Sequence, residues 1–202
     1  MTKKEIIWRE ILFQAIENKK IDFTQKELAQ KYSFSLSTVF NALKAPRNSG
    51  ILEVRGRGFK VRDIEKFLFL WATFRKIKKD IIYNTNTSKS IREIEGEIPA
   101  KAIFGAFSAY RKKYQEAPAD YDKVYLYLKK ENLKEVENRF PYQKGYSNLI
   151  VLEADPWLEN PAFSLAKGGV TPDCQIFVDL WNLPEWYAKE YLESLKQKII
   201  KQ

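Results

Sequence analysis

Two carboxylates separated by one residue, Asp120 and Asp122, form the pair in this sequence that could most readily do chemistry. They stand just before the apolar run KVYLYL. Residues i and i+2 of a strand share a face, so both side chains could bind one hard cation such as Mg²⁺. A third ligand would have to come from Asp155, Asp173 or Asp179, which the sequence does not rank. We favour the alternative, that the segment is a polar loop, and predict no catalytic residue, metal or cofactor, and no enzyme.

The rest of the composition excludes several other kinds of catalysis. The chain has 202 residues, no histidine and one cysteine, Cys174, which excludes Ser-His-Asp and Cys-His catalysis and the usual zinc sites. A lone cysteine also excludes an intramolecular disulfide and is typical of a reducing cytoplasm. The longest apolar run is too short to span a membrane, and the first residues do not resemble a signal peptide. We therefore expect a cytoplasmic protein that makes no use of a membrane.

The cationic residues are the second feature with chemical consequences, because they are concentrated in the first third of the chain. Residues 1–62 hold 13 basic and six acidic residues, a net charge of +7, whereas residues 63–202 hold 22 and 20, a net charge of +2. Within residues 35–62, six cations face a single acidic residue, Glu53. A charge imbalance of this kind is typical of proteins that bind a polyanion such as DNA.

The elements that would position these cations are three helices and a hairpin. Apolar residues at helical spacing predict a helix over residues 5–17, and Thr24 with Glu27 three residues later predicts the start of a second. Ser35 is expected to cap a third helix that ends at Pro46 and Gly50, with an inward stripe of four residues: Leu36, Val39, Phe40 and Leu43. Two short strands, Leu52–Arg55 and Phe59–Val61, would form the hairpin.

This order resembles the winged helix-turn-helix domains of bacterial and archaeal transcription regulators. The matching residues are Leu28-Ala29, Ser37-Thr38-Val39 and Gly50-Ile51-Leu52. The resemblance implies that the polar face of the third helix enters a groove of double-stranded DNA and that the hairpin contacts flanking phosphates. The implied DNA-binding residues are Ser35, Ser37, Thr38, Asn41, Lys44, Arg47, Arg55, Arg57 and Lys60. In the alternative, that face is merely solvated or docks a protein, and the arginines only keep the hairpin soluble.

The remaining 140 residues are predicted to form a non-catalytic α+β domain with a small mixed sheet. A linking helix is expected over residues 63–82, followed by a polar loop from Tyr83. We predict a helix from AKAIFGAFSAYRKKY, three strands from KVYLYL, NLIVLEA and CQIFVDLW, and a closing helix with Pro184 in its first turn. The segment KKENLKEVENRF could form a further helix, and the tryptophans of the last third are expected in the core.

The chain shows two further resemblances, one carried by this second part and one by motifs along nearly its full length. A small-residue pair on a helix followed by Asp120 and Asp122 is similar to the nucleotidyltransferase fold, but Ala106 and Lys123 depart from that pattern, so the resemblance is to an inactive relative at most. The chain also resembles AbiEi-type antitoxins and related viral-defence regulators. The resemblance rests on the order of the motifs: the winged helix, then Gly105 with Ser108-Ala109, then the late Gln175-x-x-x-Asp179-Leu180. This resemblance implies repression of an operon and a C-terminal domain that counters a nucleotidyltransferase-like toxin.

We therefore expect an α+β protein with a winged helix-turn-helix domain over residues 1–62 and an effector or partner-binding domain over residues 63–202. The expected function is that of a DNA-binding transcriptional regulator, the antitoxin and autorepressor of a phage-defence pair. The alternatives are a nucleotidyltransferase-like enzyme whose winged helix recruits the substrate, and a protein-docking module. A cognate toxin is the implied protein partner. Two-fold operators would suit a homodimer, although no heptad repeat requires one.

Overall fold

The computed structural model of the protein describes residues 1–159, 163–164 and 169–200 and has a mixed α+β fold. Residues 1–62 contain three helices and three strands in the order α1, β1, α2, α3, β2, β3. These elements are α1 (Lys3–Glu17), β1 (Asp22–Phe23), α2 (Gln25–Tyr32), α3 (Leu36–Asn48), β2 (Leu52–Arg55) and β3 (Gly58–Val61).

The rest of the described chain contains further helices around a second sheet. Its helices are α4 (Ile64–Phe74), α5 (Ile91–Glu97), α6 (Ala106–Tyr114), α7 (Leu133–Arg139), α8 (Asp173–Trp181) and α9 (Ala188–Ile200), with 3₁₀ turns at Ile77–Asp80 and Lys130–Asn132. Its strands are β4 (Ile81–Thr85), β5 (Ile103–Gly105), β6 (Val124–Leu128), β7 (Leu149–Glu153), β8 (Phe163–Ser164) and β9 (Gly169–Val170).

The first sheet is a small antiparallel sheet built around the predicted hairpin. Strand β3 is central, with β1 on one side and β2 on the other, and the register pairs Val54 with Phe59 and Phe23 with Phe59. Phe59 and Phe23 stack with their ring centroids 5.7 Å apart. The predicted hairpin is present, and β1 anchors it to the residues just before α2. Its assignment to the winged-helix fold stays a prediction.

The second sheet is mixed, as expected, and has the strand order β4-β7-β6-β5-β9-β8 among the described residues. The pairs β6–β7 and β5–β9 are parallel, and the other neighbours are antiparallel. All residues of β6 are buried, as are the first four of β7, Leu149–Leu152. The two strands predicted from KVYLYL and NLIVLEA are therefore confirmed as the centre of this sheet.

Helix α3 does not stop at Pro46, the first of the two residues predicted to end it. It continues through this proline to Asn48. A proline has no N–H to donate to the carbonyl four residues earlier, which here is that of Ala42. The indole Nε1 of Trp8 donates to this carbonyl instead, at 2.8 Å. The hydrogen bond that proline removes is thus replaced by one from α1, and it holds α3 against that helix.

The burial predicted for α3 was wrong at two positions. Leu36 and Phe40 are 57% and 45% exposed, whereas the buried residues of the helix are Val39, Ala42, Leu43 and Pro46. The buried stripe therefore has as many residues as the predicted one but is rotated around the helix axis, towards Ala42 and Pro46. Leu36 and Phe40 lie along its edge, next to solvent.

Several elements of the second part also differ from their predictions. The linking helix over residues 63–82 was wrong beyond Phe74, because Arg75 is extended and its side chain turns into the interior. Part of the predicted loop, Tyr83–Thr85, belongs to β4. The segment predicted as one helix before residue 115 begins with strand β5, and α6 starts only at Ala106.

The predicted third strand, CQIFVDLW, is helix α8. Its residues Asp173–Leu180 are all buried, including the polar Gln175 and Asp179, so the helix lacks the solvent-facing polar side that usually reveals a helical period. The closing helix is confirmed but begins at Ala188, after Pro184, and the further helix is confirmed as α7.

Helix α1 lies between the two parts of the chain. It packs against α3 of the first part and against α4 and α8 of the second. The apolar side chains that it buries, among them Ile7, Trp8 and Ile11, belong to one hydrophobic core shared with both sheets. The predicted boundary near residue 62 is therefore crossed by dense packing. No helix of the described residues is long and apolar enough to cross a bilayer.

Candidate nucleic-acid interface

The start of α3 is fixed by its own capping residues. Ser35 is the N-cap, and its Oγ accepts a hydrogen bond from the backbone N–H of Thr38 at 3.1 Å and lies 2.9 Å from the Thr38 hydroxyl. Both side chains remain at the surface, Ser35 fully and Thr38 in part. They are therefore placed where the prediction needs them, although the cap already uses part of their hydrogen-bonding capacity.

The outward face of α3 carries the other predicted polar residues. Ser37, Asn41 and Lys44 are exposed, and their spacing of three and four residues puts them on one face. Hydroxyl, amide and ammonium groups on one helix face can hydrogen-bond base edges and phosphates. The structure thus keeps these three side chains available to a partner.

Phe40 lies beside this face with two cations over its ring. The Nζ of Lys44 and the guanidinium carbon of Arg47 are each 5.4 Å from the ring centroid. Arg47 is half-buried, and its buried Nε has no hydrogen-bond partner among the described residues. The aromatic ring thus keeps both cations close to the end of α3.

The hairpin arginines differ in their surroundings. Arg55 does have partners, because its Nε lies 3.2 Å from Glu53 and its Nη1 lies 3.4 Å from Asp22. The hydrogen bond from Arg55 lowers the pKa of the Glu53 carboxyl. These groups are partly exposed, and exposed pairs contribute little to stability, so a phosphate could replace the carboxylates at little cost.

Arg57 and Lys60 make no ion pair within the described part of the chain. Arg57 occupies the hairpin turn and is exposed, whereas Lys60 is half-buried on β3. Gly58 has a packing role, since a Cβ there would lie 2.3 Å from the carbonyl oxygen of Phe23, whereas a Cβ at Gly56 would meet nothing within 4 Å. The tip is therefore both cationic and free of bulk at Gly56.

The hairpin, α2 and α3 enclose a surface groove of about 410 Å³. Four cationic residues line it, and none of its described lining residues is acidic. These cations are Lys26, Arg47, Arg55 and Arg57. The apolar part of the lining is Leu36 from α3 and Val54 from β2. A positively charged groove between a helix with a polar face and a hairpin suits a phosphate backbone.

The sequence reasoning missed the part that Lys26, Leu36, Phe40 and Val54 play in this surface. Lys26 is one basic residue among many, and nothing in the sequence indicates that α2 begins beside the hairpin. The apolar and polar residues of β2 alternate, which predicts that Val54 is buried like Leu52. In the structure Val54 is exposed, whereas Glu53 is half-buried. No sequence signal separates these side chains from ordinary surface or core residues.

The carboxylates considered for catalysis do not come together. Asp120 and Asp122 precede β6 instead of lying within it, and both are exposed. The hydroxyl of Tyr187 donates to Asp122. The described residues hold no cluster of acidic, cysteine or histidine side chains that could bind a metal ion. The two-carboxylate arrangement of the nucleotidyltransferase resemblance is thus not formed by these residues.

The other three aspartates are buried and bound to basic residues. Asp155 binds Arg9 of α1, Asp173 binds Lys113 at 2.9 Å, and Asp179 binds Arg75 at 2.9 Å. Burial raises the pKa of the Asp179 carboxyl, and the nearby Arg75 opposes that shift. These aspartates hold helices together and have no free oxygens directed at a common point.

A buried polar network joins α1 to the second part of the chain. Gln175 accepts from Arg9 at 3.2 Å and donates to the hydroxyl of Tyr127 at 2.9 Å, and this hydroxyl donates to Asp179 at 2.5 Å. Arg75 donates to the same hydroxyl and to Asp179. The Gln175-x-x-x-Asp179 spacing therefore puts both side chains on one side of α8, where each binds an arginine. Gln175 binds Arg9 of α1, and Asp179 binds Arg75 at the end of α4.

Comparisons with known proteins add no relative to this description. No protein-family model matches the chain, and no curated protein or solved structure is significantly similar to it.

Proposed function

We propose that the protein binds double-stranded DNA through α3 and the hairpin and acts as a transcriptional regulator. The observation that carries the proposal is the groove between these elements, which four cations and no described carboxylate line. The exposed polar face of α3, with Ser37, Asn41 and Lys44, adjoins the side of this helix that lines the groove. Cations outside such a face supply affinity for phosphates, and polar groups on it supply contacts to bases.

The test is a salt titration of binding to a mixed-sequence duplex, followed by fluorescence anisotropy with the full chain. We expect binding at about 50 mM salt that weakens steeply as salt rises, because bound counterions are released from the phosphates. Arg57→Ala should lower the slope of log K against log salt by about one unit if Arg57 contacts one phosphate.

Arg92→Ala is the matched control. Arg92 is an exposed arginine of α5, outside the proposed surface, and its substitution changes the net charge by the same amount. A slope lowered equally by both substitutions would mean that overall charge, and not this groove, determines binding. Failure to bind any duplex at low salt would overturn the proposal and favour a protein-docking module.

We propose that the second part of the chain binds a protein partner, as the resemblance to AbiEi-type antitoxins implies. This part presents exposed aromatic side chains, including Trp186, which is 77% exposed, together with Tyr142 and Tyr146. The implied partner is a nucleotidyltransferase-like toxin. If such a protein is encoded next to this chain, the two should co-purify, and Trp186→Ala should weaken the complex. Co-purification unaffected by that substitution would place the partner elsewhere.

A further inference from the structure

Leu36 and Phe40 are apolar side chains on a surface where polar ones would be expected. They are spaced by four residues on α3 and so share one flank of the helix, the flank that Leu36 brings to the groove beside Val54. Both are about half exposed. Apolar side chains grouped in this way within a binding surface usually contact a partner.

The charges around them indicate the chemistry of that partner. Lys44 and Arg47 lie over the Phe40 ring, and Lys26, Arg55 and Arg57 line the adjoining groove. The partner must therefore be anionic and must also offer apolar groups to Leu36 and Phe40. Ser37 and Asn41 lie on the neighbouring face and would lose their hydration if the helix entered a lipid surface, which argues against a membrane.

Duplex DNA has both properties in its major groove. The phosphates are anionic, and each thymine presents a C5-methyl group next to the hydrogen-bonding edges of the bases. Apolar side chains commonly contact that methyl, and an asparagine can bind the edge of the paired adenine. Leu36 and Phe40 beside Asn41 match this combination.

We propose that Leu36 and Phe40 contact thymine methyl groups, so that the protein prefers duplexes with thymines at defined positions of the major groove. The inference rests on the proposed DNA binding and adds the residues that would select the sequence. Asn41 would hydrogen-bond the adenine of a contacted pair, whereas the cations of the groove would hold the phosphates without regard to sequence.

The experiment starts with a duplex selected from a random pool by the full-length protein. Each thymine of that duplex is then replaced by deoxyuridine, which removes only the methyl group. We expect a loss of affinity of about threefold to fivefold at each contacted position, the effect of exposing about one methyl group. Other positions should show no change.

Two variants connect the loss to these residues. Leu36→Ala or Phe40→Ala should bind thymine and deoxyuridine duplexes equally at the position each side chain contacts. The salt slope of Leu36→Ala should stay as in the original chain, because Leu36 holds none of the cations. Both side chains are largely exposed, so the melting temperature should change little, and its measurement excludes unfolding as the cause.

The outcomes separate this inference from the proposed function. DNA binding that no uracil substitution weakens would overturn the thymine contacts and leave the DNA-binding proposal standing. Absence of DNA binding at low salt would overturn both. Two other outcomes would also overturn the inference, because each would assign the apolar flank to another occupant. One is binding to vesicles of anionic phospholipid that is lost in Leu36→Ala. The other is a homodimer of the original chain that dissociates in Leu36→Ala.

Discussion

The buried ion pair between Arg9 and Asp155 provides a quantitative test of the way the two parts of the chain are joined. Two hydrogen bonds of 2.7 Å connect the guanidinium to both carboxylate oxygens, and the side chains are 1% and 6% exposed. The pair links α1 to the segment that follows β7. Asp155→Asn keeps the shape of the side chain but removes its charge, so the guanidinium, which stays protonated, is left buried without a counter-charge.

The expected loss in the free energy of unfolding is about 3 kcal/mol. Removing one partner of a buried pair costs about 3–5 kcal/mol, and the asparagine retains one acceptor, which favours the lower end. Such a loss is a large part of the total stability of about 5–15 kcal/mol that is common for folded proteins. Urea denaturation followed by circular dichroism measures it, with the linear extrapolation to water.

Glu135→Gln is the control, because the pair between Arg139 and Glu135 has the same distance of 2.7 Å but is exposed at the surface of α7. We expect a loss of no more than about 0.5 kcal/mol there. In the double variant Arg9→Met with Asp155→Asn both charges are absent, and the loss should be smaller than the sum of the single losses by about 2 kcal/mol. An Asp155→Asn variant that loses less than about 1 kcal/mol, or no more than the control, would refute the reasoning.

Three further outcomes are expected. Glu53→Gln removes a carboxylate that binds Arg55, so the affinity for duplex DNA should rise by up to about fivefold in the anisotropy assay while the urea midpoint changes little. Weaker binding would contradict the role given to Arg55. Gly58→Ala should lower the free energy of unfolding measured in urea by about 1–3 kcal/mol, because its Cβ would overlap a carbonyl oxygen of β1. Gly56→Ala should cause no such loss, and equal losses would show that the hairpin does not pack in this way. Burial raises the pKa of the Cys174 thiol well above its usual range, so a thiol reagent should modify this thiol only as fast as the protein unfolds. Rapid modification in the folded state would mean that α8 is less buried than described.

The sequence predicted those elements whose pattern is local. The capping residues Thr24 and Ser35 mark the starts of α2 and α3 correctly, and the apolar runs of β6 and β7 are strands. The end of α4 was missed because its cause is distant: Arg75 leaves the helix to bind Asp179, which lies 104 residues away. Nothing near Arg75 in the sequence indicates that partner.

The errors in α3 and α8 have a related cause. Pro46 normally ends a helix, but the indole of Trp8 replaces the missing hydrogen bond, and only the packing of α1 reveals this. Helix α8 is buried from Asp173 to Leu180, and its polar residues Gln175 and Asp179 bind partners inside the protein, so the apolar run Ile176–Val178 between them resembles a short buried strand. At the candidate site, spacing alone placed Leu36 in the buried stripe, because a helical period does not show which side of the helix the neighbouring elements cover.

The position of α1 between α3 and α8 has a consequence for regulation. If a partner binds the second part of the chain and shifts α8, the movement would reach α3 through α1, which contacts both helices. No linker lies between them to absorb the movement. Thermodynamic reciprocity then applies: if the partner changes the affinity for DNA by a given factor, DNA must change the affinity for the partner by the same factor. An operator sequence would in that case act as an effector of partner binding in its own right.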